Sequence, residues 1–325
     1  MKNSLLLVLI FALFPAQGYS ENLDGQALAK NLYRLILKGD SKSILSAFDN
    51  APNIDTPRTG AIRGRKNLVQ FIASENNWLR EHGIVENSLA EVRTTISEDR
   101  IIYEQRLTLE KTSPMKHHRF AVVVDLKGKQ ADSVRIYYAL NDITGRNDFS
   151  RPSMLENDPA LFEGVAAPAK QYLSSIDNAY RDVYRMFVDD ACFSALCGKT
   201  KIAKFFVVGM HAGSVPLKLT TATCDGSACA LEWNLASWGE VNFSVNVGGL
   251  ALFEFNNQGL LTAVRIYNDI HDVPFSSQLG WFADNWEALA QSYEAIGCPM
   301  EKSPGSKDNS DMAWNIIMGQ ACIGE

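Results

Sequence analysis

The first 191 residues of this 325-residue chain contain no cysteine, and the six present all fall between Cys192 and Cys322. None forms a Cys-x-x-Cys pair. That argues against a zinc site, which the Cys-x4-Cys spacings would otherwise raise as a rival reading. Histidine is scarce, with five in all, and the adjacent His117 and His118 sit in a strand-like run. Neighbours on a strand point to opposite faces, so they are not a metal pair. Basic residues are fewer than acidic ones (31 against 37, net charge -6) and scattered, which leaves no electrostatic footprint for nucleic acid. Long apolar runs are missing beyond the N-terminus. The longest, Ile202 to Met210, is interrupted by Lys204 and too short to cross a bilayer. No metal, cofactor, nucleic acid or membrane partner is expected after the first 20 residues.

Those 20 residues are different. Lys2 precedes an apolar run from Leu5 to Phe14, Pro15 breaks it, and small residues follow at Ala16, Gly18 and Ser20. This is the pattern of a secretory signal peptide with cleavage after Gly18 or Ser20. It predicts an exported protein, periplasmic or secreted. The cysteines fit an oxidising compartment. Six cysteines allow fifteen pairings, and sequence locality favours Cys192–Cys197, Cys224–Cys229 and Cys298–Cys322. The middle pair is best supported, because Asp225-Gly226 is a hairpin turn signal between two β-type runs.

The length suits two domains of ordinary size, and 46% apolar with 21% charged residues is globular composition. From Asp24, Leu28, Leu32, Leu35 and Ile36 recur at helical spacing up to Gly39. Asp40 can cap a second helix carrying Ile44, Leu45 and Phe48. Residues 50–64 read as irregular, and a third helix follows over about 66–81 with Leu68, Phe71, Ile72 and Leu79 on one side. Then come β-rich segments at 89–96, 100–110, 117–126 and 132–140, a four-stranded antiparallel meander. Residues 146–167 read as a connector. The pattern then restarts with a long helix marked by Tyr172, Ile176, Tyr180, Val183 and Phe187, a shorter one over 199–209, and strands near 215–224, 228–237, 244–255 and 260–269.

The halves align. Val134-Arg-Ile-Tyr137 recurs as Val264-Arg-Ile-Tyr267, 130 positions on, while Tyr33 and Phe48 match Tyr172 and Phe187 at 139. The second copy is thus shorter between helix and sheet. The expected organisation is a signal peptide (1–20), a first domain (24–145), a connector (146–167), a second domain (168–275) and a helical C-terminal tail (276–325), which a Cys298–Cys322 bridge would pin.

Helices leading into a bent sheet, a glycine-containing loop before the third helix and an Arg-x-Tyr last strand resemble the SnoaL-like and nuclear-transport-factor-2-like superfamily. The second half is similar to bacterial tandem SnoaL-like proteins through Arg151-Pro-Ser-Met-Leu, Asp158-Pro-Ala-Leu, Cys229-Ala-Leu-Glu-Trp-Asn, Trp238-Gly239, Gly249-Leu-Ala-Leu-Phe-Glu and Arg265-Ile-Tyr-Asn-Asp269. The resemblance implies an α+β fold of two cone-shaped barrel domains, each with helices packed on a curved antiparallel sheet. Its members include isomerases, cyclases, dehydratases, epoxide hydrolases and proteins that only bind, so fold does not give function. The isomerase set needs a carboxylate base, a neutral acid and a tyrosine. Under the resemblance these positions fall at Thr56, beside Asp55, and in the Cys192–Cys197 loop for the base, at Ala121 and Ala251 for the acid, and at Leu32 and Gln171, beside Tyr33 and Tyr172, for the tyrosine. Two of the three roles are therefore vacant in both copies.

If Ala251 and Phe253 face the cavity, as the resemblance implies, then so do Val264, Ile266 and Asn268. Arg135, Tyr137, Arg265 and Tyr267 then face outward, and the two copies are expected to pack through that outer face as an internal pseudo-dimer. Glu232 and Asn234 share a face of a central strand, and with His211, Trp238 and Asn268 they are the expected lining of a binding cavity in the second domain. The competing reading for Glu232 and Asn234 is a structural polar network. Asp55, Arg58 and Arg63 read as a solvated rim. The expected function is binding of a small, largely apolar molecule by the second domain. The alternatives are an enzyme using Asp269 or Glu232 as general base, and an interaction module whose cavities are filled by side chains.

Overall fold

The computed structural model describes residues 23–86, 89–108, 117–138, 140, 155–194, 196–209, 218–238 and 243–267. The expected signal segment, the tail, Cys298, Cys322, His211, Asn268 and Asp269 lie outside them.

In the first half, α1 (Gly25–Lys38) starts where Asp24 accepts the Ala27 N–H at 2.7 Å and stops where Gly39 takes a left-handed φ of 69°. Asp40 caps α2 (Ser41–Ser46) in the same way through Ser43. The stretch expected to be irregular instead holds two short strands, β1 (Asn53–Thr56) and β2 (Gly60–Arg63), before α3 (Arg65–Glu81). Each is four residues long, too short for a period to show in sequence, and each buries an isoleucine, Ile54 and Ile62. The meander follows as β3 (Leu89–Ile96), β4 (Arg100–Thr108), β5 (His117–Lys127) and β6 (Gln130–Tyr137). β1 runs parallel to β6, covering the edge that a four-stranded sheet would leave open. The sheet therefore has six strands, ordered β2-β1-β6-β5-β4-β3.

The second half contains α4 (Leu161–Gly164), α5 (Ala167–Ala179), a 3-10 turn over Tyr180–Met186, β7 (Phe187–Phe193), β8 (Leu196–Cys197), α6 (Lys199–Gly209), β9 (Lys218–Cys224), β10 (Ala228–Trp238), β11 (Phe243–Phe255) and β12 (Leu261–Tyr267). Its sheet runs β8-β7-β12-β11-β10-β9, the same order as the first. The long helix expected through Phe187 ends at Ala179, and Phe187 opens a strand. Phe187 pairs in parallel with Leu261, just as Phe48 forms a parallel bridge to Ala131. Cys192–Cys197 and Cys224–Cys229 are disulfides, each joining directly opposed residues of adjacent strands with Cα atoms 4.1 Å apart.

Strand alternation sorts the apolar residues into three clusters. One packs the inner face of the first sheet, with Phe120, Val122 and Val124, against Leu28, Leu32, Tyr33, Leu68 and Ile72 of α1 and α3. A second packs Leu231, Trp233, Ala251 and Phe253 against Tyr172, Ile202 and Phe206 of α5 and α6. The third joins the outer faces of the two sheets: Ile102, Ala121, Val123 and Tyr137 with Ala230, Leu250, Leu252 and Tyr267. Two buried ion pairs flank this third cluster. Arg135 donates Nε to Glu232 Oε1 (2.5 Å) and Nη2 to Oε2 (2.8 Å), and the Tyr137 hydroxyl donates to Oε1 (2.7 Å). In return Arg265 donates Nε to Glu104 Oε2 (2.5 Å) and Nη2 to Oε1 (2.9 Å), and Tyr267 donates to Oε2 (2.5 Å). Each arginine also holds a carboxylate of its own sheet, Asp125 for Arg135 and Glu254 for Arg265.

Burial pushes the carboxyls of Asp125 and Glu232 up, but the charge and hydrogen bonds of Arg135 outweigh it and hold both below their ordinary values. The stabilisation this gives is present above the unfolded values of about 4 and lost as pH falls through the lower folded ones. Glu232→Leu alone, which removes the cross-sheet partner of Arg135 and leaves it Asp125, is expected to lower unfolding free energy by about 3 kcal/mol. Combining it with Arg135→Met should recover much of that loss and flatten the acid decline of the urea midpoint below pH 4. Urea titrations of the three proteins between pH 7 and 2 check both outcomes.

Candidate functional site

The interior of the second half is built from aromatic rings. Tyr172, on the buried side of α5, meets Phe253 at 5.0 Å between ring centroids, Phe206 at 6.2 Å and Phe187 at 6.3 Å. Phe193 meets Phe206 at 5.1 Å. Trp233 points inward from β10 and lies over Gly249, its direct cross-strand partner, where a Cβ would come within 2.2 Å of the indole. Two polar atoms are enclosed here without a hydrogen-bond partner among the described residues, the Tyr172 hydroxyl and the Trp233 Nε1–H. Burial raises the Tyr172 hydroxyl far above its ordinary pKa, so it stays protonated and donates. An enclosed donor left unpaired costs about 1–3 kcal/mol. Among the described residues of the second half the buried carboxylate is Glu232, which belongs to the other face of the sheet. Apolar walls with two unspent donors fit an apolar molecule bearing a hydrogen-bond acceptor.

Of the residues expected to line this interior, Glu232 and Asn234 lie on the other face of β10. Cross-strand partners share a face. Glu232 is paired with Leu250, and Leu231 with Ala251, so Glu232 belongs to the outer face. There it is fully engaged, accepting from Arg135, Tyr137 and Thr221. The expected cavity position of Glu232 is thereby corrected to the competing one, a structural polar network. Asn234 has the same parity, and its Nδ2 donates to the Leu155 carbonyl at 3.3 Å. Trp238 ends β10. His211, Asn268 and Asp269 lie outside the described residues.

The positions assigned by resemblance also shift. Gln171 is exposed while its neighbour Tyr172 is buried, so the inward tyrosine is Tyr172. In the first half Leu32 and Tyr33 are both buried, and the Tyr33 hydroxyl is enclosed without a partner among the described residues. Ala121 faces outward opposite Tyr137, and the register counterpart of Ala251 is Val122, opposite Ile136 as Ala251 is opposite Ile266. Neither inner position carries an acid. Thr56 is buried, with its hydroxyl accepting from the Thr59 N–H.

The first interior holds a feature that sequence reasoning missed. Glu75 is 2% exposed and accepts Nε (2.9 Å) and Nη2 (2.5 Å) of Arg58 on Oε2. The Arg58 guanidinium lies 5.3 Å from the centre of the Trp78 ring, so it is a partner of a buried acid and not the solvated rim residue expected. Burial raises the Glu75 carboxyl, and Arg58 and Tyr138 only partly offset this. The available signal was Glu75 itself, an acid on the apolar stripe of α3 between Ile72 and Leu79. Trp233 and Tyr172 were legible in the same way, being in phase with Leu231 and Ile176.

Gly249→Ala is expected to force the indole of Trp233 aside, lowering stability by about 1–3 kcal/mol and shifting tryptophan fluorescence. Thermal unfolding and emission spectra of the variant check this.

No family model matches the chain, and no curated protein matches it. Several solved structures are similar to part of it. A Catenulispora acidiphila protein with a ketosteroid isomerase-like fold, in complex with trimethylamine, is 16% identical over 37% of this chain and 88% of its own, with a TM-score of 0.28. An NTF2-like protein of unknown function from Cytophaga hutchinsonii is 11% identical over 34% and 98%, with a TM-score of 0.27. The epoxide hydrolase/cyclase-like enzyme SalBIII of salinomycin pyran-ring formation is 13% identical over 36% and 92%, with a TM-score of 0.28.

Proposed function

We propose that this chain is an exported pair of SnoaL-like, NTF2-like domains joined as an internal pseudo-dimer, and that its second domain binds a small, largely apolar molecule carrying a hydrogen-bond acceptor such as a carbonyl or ether oxygen. One observation carries the binding reading. The Tyr172 hydroxyl and the Trp233 Nε1–H are enclosed donors amid aromatic walls, with no partner among the described residues. A ligand oxygen would remove the desolvation cost that they otherwise bear. The reciprocal Arg–Glu contacts and the recurring strand order support the pseudo-dimer. Two disulfides support an oxidising compartment.

Native mass spectrometry of protein purified from its own exported fraction is expected to show a retained ligand. A panel of steroid-like and lipid-like ketones should raise the melting temperature. Tyr172→Phe and Trp233→Phe should each weaken that shift, with Tyr172→Phe leaving the ligand-free protein as stable as before, or more so. A clean ligand-free mass together with no thermal shift across the panel would refute the proposal.

A second reading, an acid–base enzyme, is favoured by Glu75 alone, a buried carboxyl in the first interior with its pKa raised. A raised acid opposes folding where it is charged. Stability should therefore increase as pH falls through the folded value toward the unfolded value of about 4.3. Glu75→Gln is expected to remove that gain, seen as a loss of pH dependence in the urea midpoint between pH 7 and 4.5. An identical pH dependence in the variant would remove the basis of the enzyme reading.

A further inference from the structure

The outer face of the first sheet continues past Glu104 into two arginines. Arg106 on β4 and Arg119 on β5 are direct cross-strand partners. Like charges placed so oppose each other unless something neutralises them. The corresponding pair on the second sheet, two residues beyond Glu232 and Leu250, is Asn234 and Gly248, which carries no charge. Neither arginine forms an ion pair among the described residues. Glu104, the nearby carboxylate, is taken by Arg265 and Tyr267. Arg119 is half-buried and spends one N–H, donating Nη2 to the Ser194 carbonyl at 2.8 Å. Its four other N–H donors have no hydrogen bond among the described residues. Arg106 is exposed to solvent.

Ser194 belongs to the loop closed by the Cys192–Cys197 disulfide, and it is the non-glycine residue with positive φ (49°) among those described. Its backbone N–H is held by the Val264 carbonyl at 2.7 Å, so the carbonyl that positions Arg119 is itself anchored to the second sheet. Burial lowers the Arg119 pKa, and the positive charges of Arg265 and Arg106 add to that effect, while Tyr267 and Glu104 oppose it. The result is two positive charges at the seam of the two sheets with no ion pair among the described residues, one fixed by a crosslinked loop and the other open to water.

We propose that Arg106 and Arg119 form a binding site for a phosphate-type dianion at this seam. Two positive charges on adjacent strands match two negative ones, and arginine's planar set of donors suits tetrahedral oxyanions. The anion is inorganic phosphate or a phosphomonoester in solution, or the phosphate of a lipid headgroup. This site is independent of the aromatic interior of the second half.

The test uses the oxidised full chain at low ionic strength. Calorimetric titration with inorganic phosphate is expected to show saturable binding of one equivalent. Arg106→Gln should weaken it at least tenfold, and Arg106→Lys should restore part of the loss. Arg63→Gln, at an exposed arginine on β2, should leave it unchanged. Arg106 is exposed, so its variants should unfold at the wild-type urea midpoint, which separates loss of binding from loss of fold. Co-sedimentation with phosphatidylglycerol vesicles, competed by phosphate, would identify a headgroup as the source. Phosphate binding without vesicle binding would identify a free anion. Absence of saturable phosphate binding, or binding indifferent to Arg106→Gln, overturns the proposal.

Discussion

Two guanidinium–carboxylate pairs are sealed between the sheets, and the use of every other surface follows from them. Arg135 with Glu232 and Arg265 with Glu104 each place one charge on either sheet, with all four residues buried. A buried pair of this kind adds little stability over well-packed apolar residues, but stranding one member is costly. Here the remaining valences are filled. Glu232 takes Arg135, Tyr137 and Thr221, while Arg135 also takes Asp125. The contact is therefore specific in register. A slip of one residue would turn every charge into an apolar face.

With the outer faces committed in this way, each inner face is left to its own helices. There the two halves differ. Both enclose a tyrosine hydroxyl with no partner among the described residues, Tyr33 in the first and Tyr172 in the second, but the first adds Glu75 with Arg58 and the second adds the indole N–H of Trp233. Chemistry that needs a proton acceptor has one in the first interior. Recognition that needs only donors and apolar contact has its groups in the second.

The seam is not symmetric either. Arginines of the first sheet reach the two disulfide-closed loops of the second half. Arg93 donates to Ser227 and pairs with Asp225, beside Cys224–Cys229, and Arg119 donates to Ser194, beside Cys192–Cys197. A crosslinked loop loses less entropy when it is fixed in a contact, which suits it to present backbone and short side chains to a charged partner.

Much was readable from the chain itself. The start near Asp24, the stop at Gly39 and the cap at Asp40, the stripes of α1 and α3, the strands from β3 to β6 and from β9 to β12, and two local disulfides all follow from spacing and residue type, because each depends on neighbours within a few positions. Strand alternation, with the inward face taken from the resemblance, also put Arg135, Tyr137, Arg265 and Tyr267 on the outer faces. The tertiary structure decided what alternation leaves open, namely which face a strand shares with its neighbour. That depends on register, so Glu232 moved from an expected cavity wall to the seam once it was paired with Leu250, and Ala121 moved to the outer face once it was paired with Tyr137. It also decided the short strands β1 and β7 and the pairing of Arg58 with Glu75, which join residues distant in sequence. No local pattern encodes such contacts, since their energy appears only when the two segments meet.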